Sequence, residues 1–396
     1  MGAVRPHVVV METRHTDLDQ DACYRAAAAR DARFDGRFFG GVTSTGIYCR
    51  PVCPARTPRR ENMIFYPTAA AAEEAGFRAC LRCRPETAPD MGAWRGTSNT
   101  VSRALSLIEA GALDEGDVDT LAGRLGVGER QLRRLFRQHL GAAPVSVAQT
   151  RRVLLAKALI HETDLTMAEV ALGSGFGSVR RFNETFQSLY GRPPSALKRR
   201  KERPGEGGVR LTLSYRPPYD WDAMLAALRA RGDAVEARIW SRPLDPVADG
   251  ADGRVEVTPG LQSGTGSGGT GQSGTGPGRV EVRVEASDLR ALPGVLARVR
   301  RVFDLSADPE AIARDLSADA ALRPLVVDRP GLRLPGDWID AGGEPPNDRL
   351  PEDFDARLIG RADHWRPWRA YGALHLRTAG IGAAELKETD HGKQAA

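Results

Sequence analysis

The stretch GIYCRPVCPARTPRREN at residues 46–62 decides how the first part of this 396-residue chain folds. It contains Cys49 and Cys53, and a second close pair follows in CLRC, at Cys80 and Cys83. Each pair can offer two sulfur atoms from one turn, and the 26 residues between the pairs can fold back to bring them together. The spacing therefore predicts one tetrahedral Zn²⁺ site with four cysteine ligands; unrelated buried thiols are the alternative.

The spacing leaves the chemistry of this site open. Most four-cysteine zinc sites are structural, whereas a zinc-bound thiolate is deprotonated at neutral pH and is a standing nucleophile. The fifth cysteine, Cys23, falls outside the pattern and is expected to be a small buried residue. Four arginines around the first pair are placed to hold a phosphate group: Arg50, Arg56, Arg59 and Arg60.

The charge of the chain is unevenly distributed. Residues 99–203 carry 17 basic and 11 acidic side chains, whereas residues 204–396 carry 25 and 29. A polyanion such as DNA is therefore expected to dock on the first half. The sequence has no apolar run near the length of a membrane helix and no evident signal peptide. We expect a cytoplasmic protein, without a membrane partner, whose thiols stay reduced.

The run from Asp31 to Pro85, with all four cysteines in register, closely resembles the N-terminal zinc domain of the Ada family of DNA-alkylation-response proteins. We assign residues 12–88 to this domain. The resemblance implies that Cys49 irreversibly takes a methyl group from a methylphosphotriester in DNA, while the other three cysteines remain spectator ligands. It also implies that Arg56 contacts a phosphate; Thr43 stands where some members carry another arginine.

Residues 99–203 contain a self-similarity at an offset of 50 residues. LFRQHLGAAP at 135–144 recurs as TFQSLYGRPP at 185–194, and each copy follows a short helix, a glycine turn and a second helix. This pattern predicts two helix-turn-helix units, and the block resembles the DNA-binding domain of AraC/XylS-type regulators, which implies contacts with adjacent major-groove segments. The outward-facing candidates for DNA contact are Arg130, Arg133, Arg134, Arg180, Arg181 and Asn183.

Alternating apolar and polar residues predict strands in VRLTLSY, RVEVTP and RVEVRVEA, with a flexible glycine-rich insert at 260–278. Residues 209–336 resemble the N-terminal domain of AlkA-type DNA glycosylases, which remove alkylated purines. DHWRPWRAYGALHLR resembles the closing helix of the same enzymes and predicts one last aromatic helix. We expect Trp365 and Trp368 to pack against the strands.

The catalytic helical domain of those glycosylases has almost no room here. Residues 337–396 form a remnant, and Leu334-Pro335-Gly336 runs on to Asp337-Trp338 instead of completing the helix-hairpin-helix turn of the family. Asp353 is the candidate for the catalytic aspartate. A pocket for a flipped base, however, needs walls on several sides and a carboxylate held in a cavity that excludes water. We expect glycosylase activity to be lost.

Together these features predict a multidomain α+β protein: a small zinc α/β domain, an all-α tandem helix-turn-helix domain and a β-rich AlkA-like domain. The favoured hypothesis is a protein that methylates itself at Cys49 and then activates transcription, with double-stranded DNA and RNA polymerase as partners at the bacterial nucleoid. A plain regulator with structural zinc and a working 3-methyladenine glycosylase fused to a regulator are the alternatives.

Overall fold

The computed structural model describes residues 18–89, 99–198, 208–260, 277–339 and 347–382. Within these ranges it contains the zinc-domain, helical and β-rich parts that the sequence predicts, so the α+β fold class is confirmed. The predicted glycine-rich insert, apart from its ends, lies outside the described residues. None of the helices in these ranges is long and apolar enough to cross a membrane.

The first part is a four-stranded sheet with two helices. The strands run in the order β3-β1-β2-β4, and β2 pairs with β4 in parallel while the other pairs are antiparallel. A polyalanine segment can lie close to this sheet because its side chains are small, and Ala69 to Ala72 of α2 are all buried. The elements are α1 (Gln20–Ala28), β1 (Phe39–Val42), β2 (Ile47–Cys49), β3 (Met63–Tyr66), α2 (Ala69–Glu74) and β4 (Arg78–Ala79).

The second part is all-helical and repeats the predicted unit. Phe136 and Phe186, the repeated aromatic residues, are fully buried on the inner faces of α5 and α8. Each of these helices ends at a glycine with positive φ, Gly141 or Gly191, a conformation that glycine adopts without strain. The helices are α3 (Asn99–Glu109), α4 (Val118–Arg124), α5 (Glu129–Leu140), α6 (Pro144–Glu162), α7 (Met167–Gly173) and α8 (Val179–Tyr190).

The third part is a five-stranded antiparallel sheet in the order β5-β9-β8-β7-β6, and it includes all three predicted strands. The β6–β7 hairpin escaped sequence analysis because Ala237 and Arg238 take positive φ at its turn, where glycine or asparagine is the usual signal. The elements are β5 (Val209–Tyr215), α9 (Trp221–Ala230), β6 (Ala234–Glu236), β7 (Ile239–Leu244), β8 (Gly253–Pro259), β9 (Gly278–Ala286) and α10 (Leu292–Val302).

The last part is a small helical group with its own apolar cluster. The expectation that Trp365 and Trp368 pack against the strands is wrong. Both rings lie among short helices, and their indole N–H groups donate to Asp319 and Asp315 at 2.8 and 2.9 Å. The predicted aromatic helix is also interrupted near Pro367, which supplies no backbone N–H. The elements are α11 (Pro309–Leu316), α12 (Leu322–Asp328), α13 (Ile359–Ala362) and α14 (Arg369–Ala379).

The second helix-turn-helix unit and the β-rich part share one hydrophobic core. A single cluster of buried side chains includes Phe182 and Phe186 of α8 together with Val282 and Val284 of β9. Burying apolar surface in a common cluster stabilises both parts at once. The β-rich part is therefore packed against the second helix-turn-helix unit as well as connected to the helical part.

Candidate zinc centre and DNA-binding helices

Parallel pairing of β2 with β4 brings the two cysteine pairs together. Tyr48 lies opposite Ala79, so the next residues, Cys49 and Cys80, leave neighbouring strands side by side. The backbone N–H of Cys80 donates to the carbonyl oxygen of Tyr48 at 3.0 Å and holds this register. The second cysteine of each pair then follows on a turn, and the Cys53 N–H donates to the Arg50 carbonyl at 3.1 Å.

The sulfur atoms of Cys49, Cys53, Cys80 and Cys83 all lie within 4.8 Å of one another. Zn–S bonds of about 2.3 Å in a tetrahedron place the sulfurs about 3.8 Å apart, so the cluster fits one zinc ion. Contacts with the other three thiols raise the pKa of Cys49 above its ordinary range, because several thiolates cannot ionise together without a cation. The predicted Zn²⁺ site with four cysteine ligands is confirmed.

The four sulfur atoms are not equivalent. Cys80 and Cys83 are buried, whereas Cys49 and Cys53 are partly exposed. The Cys83 sulfur accepts the Arg50 N–H at 3.4 Å, and the Cys80 sulfur accepts the Arg82 N–H at 3.3 Å. A hydrogen bond to a thiolate stabilises its charge and so lowers its reactivity. Access therefore favours the first cysteine pair as the place for chemistry, although Cys53 in that pair also interacts with a backbone N–H, that of Ala55.

Arg50 has a different place from the other arginines near the zinc centre. Its guanidinium is buried against the Asp35 carboxylate, with an Nε–Oδ1 distance of 2.8 Å. It also donates to the Cys83 carbonyl oxygen at 3.1 Å and to the Thr87 hydroxyl. These partners occupy the guanidinium within the fold, so the expectation that Arg50 holds a DNA phosphate does not fit its position.

The remaining three arginines of this segment differ in their exposure to solvent and in their ion pairs within the protein. Arg56 and Arg59 are exposed, and the only ion pair that the described residues give Arg59 is a long one, 3.8 Å, to Glu61. Arg60 is partly exposed and pairs with Asp21 at 2.7 Å. Arg56 and Arg59 can therefore reach a ligand beside the first cysteine pair with little loss of internal bonding.

The six residues predicted to contact DNA all project from exposed faces of the second helix in each helix-turn-helix unit. Arg133 bonds Glu129 at 3.0 Å within α5, and Arg180 bonds Glu184 at 2.8 Å within α8. Such exposed i,i+4 pairs are weak, so these arginines can exchange a carboxylate for a phosphate or base. The others on these faces are Arg130, Arg134, Arg181 and Asn183.

Sequence analysis missed the polar contacts that join the zinc domain to α6. Glu73, at the end of the polyalanine helix, accepts hydrogen bonds from Tyr48 at 2.9 Å and from Thr150 at 2.6 Å. Desolvation raises the pKa of Glu73. Lys157 of α6 forms a buried ion pair with Glu86. A lysine on the apolar face of a helix is the signal that could have predicted such a partner.

Asp353, the glycosylase candidate, lies at the surface. Its side chain is 74% exposed and forms an ion pair with Arg377 of α14. A carboxylate that acts on a flipped base must lie in a pocket that excludes water. The position of Asp353 does not provide that environment.

Three family profiles match separate parts of the chain. The metal binding domain of Ada matches residues 22–86, a helix-turn-helix domain matches residues 121–200, and the AlkA N-terminal domain matches residues 210–339. These matches cover the zinc cluster, both recognition helices and the five-stranded sheet.

Curated relatives match large parts of the chain. A probable bifunctional transcriptional activator/DNA repair enzyme AlkA from Mycobacterium tuberculosis is 40% identical over 81% of this chain and 63% of its own length. The bifunctional activator/repair enzyme Ada of Escherichia coli is 30% identical over 50% of this chain and 53% of its own length. This chain thus spans somewhat more than half the length of these relatives.

A solved structure, the DNA methyl phosphotriester repair domain of E. coli Ada, is 47% identical over 19% of this chain and 80% of that chain, with a TM-score of 0.17. The three profile matches, in this order and with the four-cysteine cluster between β2 and β4, support an Ada–AlkA-type fusion.

Proposed function

We propose that this protein removes methyl groups from methylphosphotriesters in DNA by transferring them irreversibly to Cys49, and that the methylated form activates transcription. The difference in exposure and hydrogen bonding among the four cysteine sulfur atoms supports this proposal most directly. Cys49 is partly exposed at the end of β2, whereas Cys80 and Cys83 are buried and accept backbone N–H groups. The resemblance to the Ada family selects Cys49 over Cys53.

In the proposed step the Cys49 sulfur attacks the methyl carbon of the triester. A C–S bond forms, the C–O bond breaks, and its electron pair leaves with the phosphodiester oxygen, so a neutral thioether and a normal DNA backbone result. A zinc ion bound to the four sulfurs keeps them ionised at neutral pH. Arg56 and Arg59 contribute positive charge beside the nucleophile, which would attract the neighbouring phosphodiesters and stabilise the phosphodiester anion that leaves.

The same methyl transfer would increase the affinity of the protein for DNA. Methylation removes one negative charge from a cluster that repels the phosphate backbone. In a partly desolvated interface that change is worth about 1–3 kcal/mol, or roughly tenfold to a hundredfold in affinity. The recognition helices α5 and α8 would then bind a promoter near RNA polymerase, and the protein would act at the nucleoid.

The proposed organisation follows the sequence boundaries: a methyl-acceptor domain at 12–88, a DNA-binding domain at 99–203, an AlkA N-terminal-like domain at 209–336 and a remnant at 337–396. We propose that the remnant no longer excises bases. The exposed position of Asp353 supports this loss.

Mass spectrometry tests the methyl transfer. The zinc-loaded protein is incubated with duplex DNA containing a methylphosphotriester, and the peptide with Cys49 should gain one methyl group. Cys49→Ser should abolish the gain. Cys23→Ser is the matched control, because Cys23 is buried outside the cluster and its loss should change nothing. An unchanged mass of the wild-type peptide would instead favour a plain regulator with structural zinc.

A further inference from the structure

The glycosylase-like region contacts the zinc domain at the loop between α1 and β1, as well as where β5 meets Pro85–Thr87. Residues 33–37, here called the support loop, lie between α1 and β1. Arg37 at its end bonds Asp308 and Glu310, at the start of α11, at 2.8 and 2.9 Å. Asp308 is buried, so at least the first of these ion pairs is shielded from solvent and is stronger than a surface pair.

Arg216, just after β5, binds the backbone of the same loop. Its guanidinium is buried and donates to the carbonyl oxygens of Asp35 at 2.5 Å and Arg33 at 3.4 Å. The loop is closely enclosed here. Gly36 has a φ of +75°, and a Cβ at this position would lie 2.2 Å from the Pro89 carbonyl oxygen. Arg216 therefore supplies donors to carbonyl groups that have little access to water.

Arg216 is held in place by other residues of the glycosylase-like region. Arg333 is buried and donates to the carbonyl oxygens of Arg216 at 2.6 Å and Pro218 at 3.1 Å. The Asp304 carboxylate interacts electrostatically with Arg333 and accepts a hydrogen bond from Tyr371 of α14. A continuous set of polar contacts thus leads from the closing helix to the support loop.

The set of contacts continues to the zinc centre. Asp35 of the support loop pairs with the Arg50 guanidinium, and Arg50 donates its backbone N–H to the Cys83 sulfur at 3.4 Å. The Arg50 side chain also binds the Cys83 carbonyl oxygen. Movement of the loop would therefore disturb a ligand of the metal cluster.

We propose that the glycosylase-like region serves as a scaffold for the methyl-acceptor domain. Through Arg216 and the start of α11 it holds the support loop, and through Asp35 and Arg50 the loop positions Cys83. This role gives the region a function that requires no base excision. It also explains how a segment that lacks most of a catalytic domain is built into the working protein.

The test measures zinc release from the full-length protein into excess chelator and hydrogen exchange of the support loop. Arg216→Met keeps much of the side-chain volume but removes the donors. Loss of a charge-assisted hydrogen bond should accelerate zinc release and loop exchange by about tenfold. Arg229→Met is the control, because Arg229 is exposed on α9 of the same glycosylase-like region. Its rates should stay within about twofold of wild type.

A second variant covers the case in which Arg216→Met fails to fold. Arg37→Gln removes the bonds to α11 from a partly exposed position and should accelerate zinc release by about threefold. Wild-type release and exchange rates in both folded variants, or in Arg37→Gln alone if the first does not fold, would overturn the proposal. Zinc release does not depend on methyl transfer, so this result is independent of the proposed reaction.

Discussion

Lys157 and Glu86 form a 2.7 Å ion pair in which neither side chain is accessible to solvent. The pair joins the long helix α6 to the turn that follows Cys83. Burial alone would raise the pKa of Glu86, but the neighbouring Lys157 ammonium, together with a backbone N–H and Arg84, holds that pKa below its ordinary value. The DNA-binding and zinc domains are therefore linked by a charge pair that depends on both partners.

Lys157→Met should leave the buried Glu86 carboxylate with the partly exposed Arg84, 3.1 Å away, as its remaining cation. Breaking one partner of a buried pair costs about 3–5 kcal/mol, and urea unfolding monitored by circular dichroism would measure this loss. Adding Glu86→Gln to Lys157→Met should recover part of the stability, because it removes a buried charge that has lost its closest cation. Equal stability of wild type and Lys157→Met would contradict the assigned role of the pair.

The zinc site was accessible to sequence analysis because its ligands lie in two short segments. C-x3-C and C-x2-C fix the ligand type and number without knowledge of the fold. The role of Arg50 was not accessible in the same way. Its partner, Asp35, is 15 residues away on a loop, so only the folded chain shows that the guanidinium is taken up internally.

The recognition helices were likewise predictable, because their apolar spacing repeats at a fixed offset. The core that the second unit shares with the β-rich part could not be predicted from the sequence. The burial pattern of β5 shows which of its residues face inward, but period-two alternation does not say which partner covers that face. The positions of Trp365 and Trp368 were mispredicted for the same reason, since an aromatic side chain signals burial without naming its neighbours.

Arg134→Ala and Arg181→Ala should each weaken binding of the methylated protein to promoter DNA by about 1–3 kcal/mol. Both side chains are exposed on recognition helices, so the variants should fold normally and still accept a methyl group at Cys49. Fluorescence anisotropy with a labelled duplex gives the affinities. Arg229→Ala removes an exposed charge from α9 and serves as the control with unchanged affinity.

Methylation at Cys49 should raise affinity for the same duplex by roughly tenfold to a hundredfold at moderate salt. The gain comes from loss of one negative charge, so it should shrink as the salt concentration rises. Titrations of the methylated and untreated proteins over a salt series would measure it. Identical affinities at every salt concentration would exclude an electrostatic switch.

The full-length protein should release no 3-methyladenine from alkylated duplex DNA, and Asp353→Asn should behave like wild type. The reason is that Asp353 is exposed and paired with Arg377. Abasic sites can be counted after alkaline cleavage, with a working AlkA-type glycosylase as the positive control. Cleavage by the wild type that disappears in Asp353→Asn would show that the remnant is an active enzyme.

His375 should make the protein less stable in mild acid. Burial lowers the pKa of His375 to about 4, and the nearby Arg329 adds to the effect. The unfolded chain binds a proton near pH 6.5, so stability falls as pH decreases from about 6.5 towards 4, by about 3 kcal/mol if this group alone contributes. Urea unfolding of wild type and His375→Gln at pH 7 and pH 4.5 should show a smaller acid loss in the variant.

The common core of the second helix-turn-helix unit and the β-rich part has a genetic consequence. Val282 and Val284 of β9 lie in the same cluster as Phe182 and Phe186 beneath the recognition helix α8. A cavity made in this sheet would loosen α8, the helix that we propose binds promoter DNA. A genetic screen for loss of promoter activation should therefore recover mutations in the β-rich part. Those mutations would be mistaken for repair defects unless promoter occupancy were measured separately.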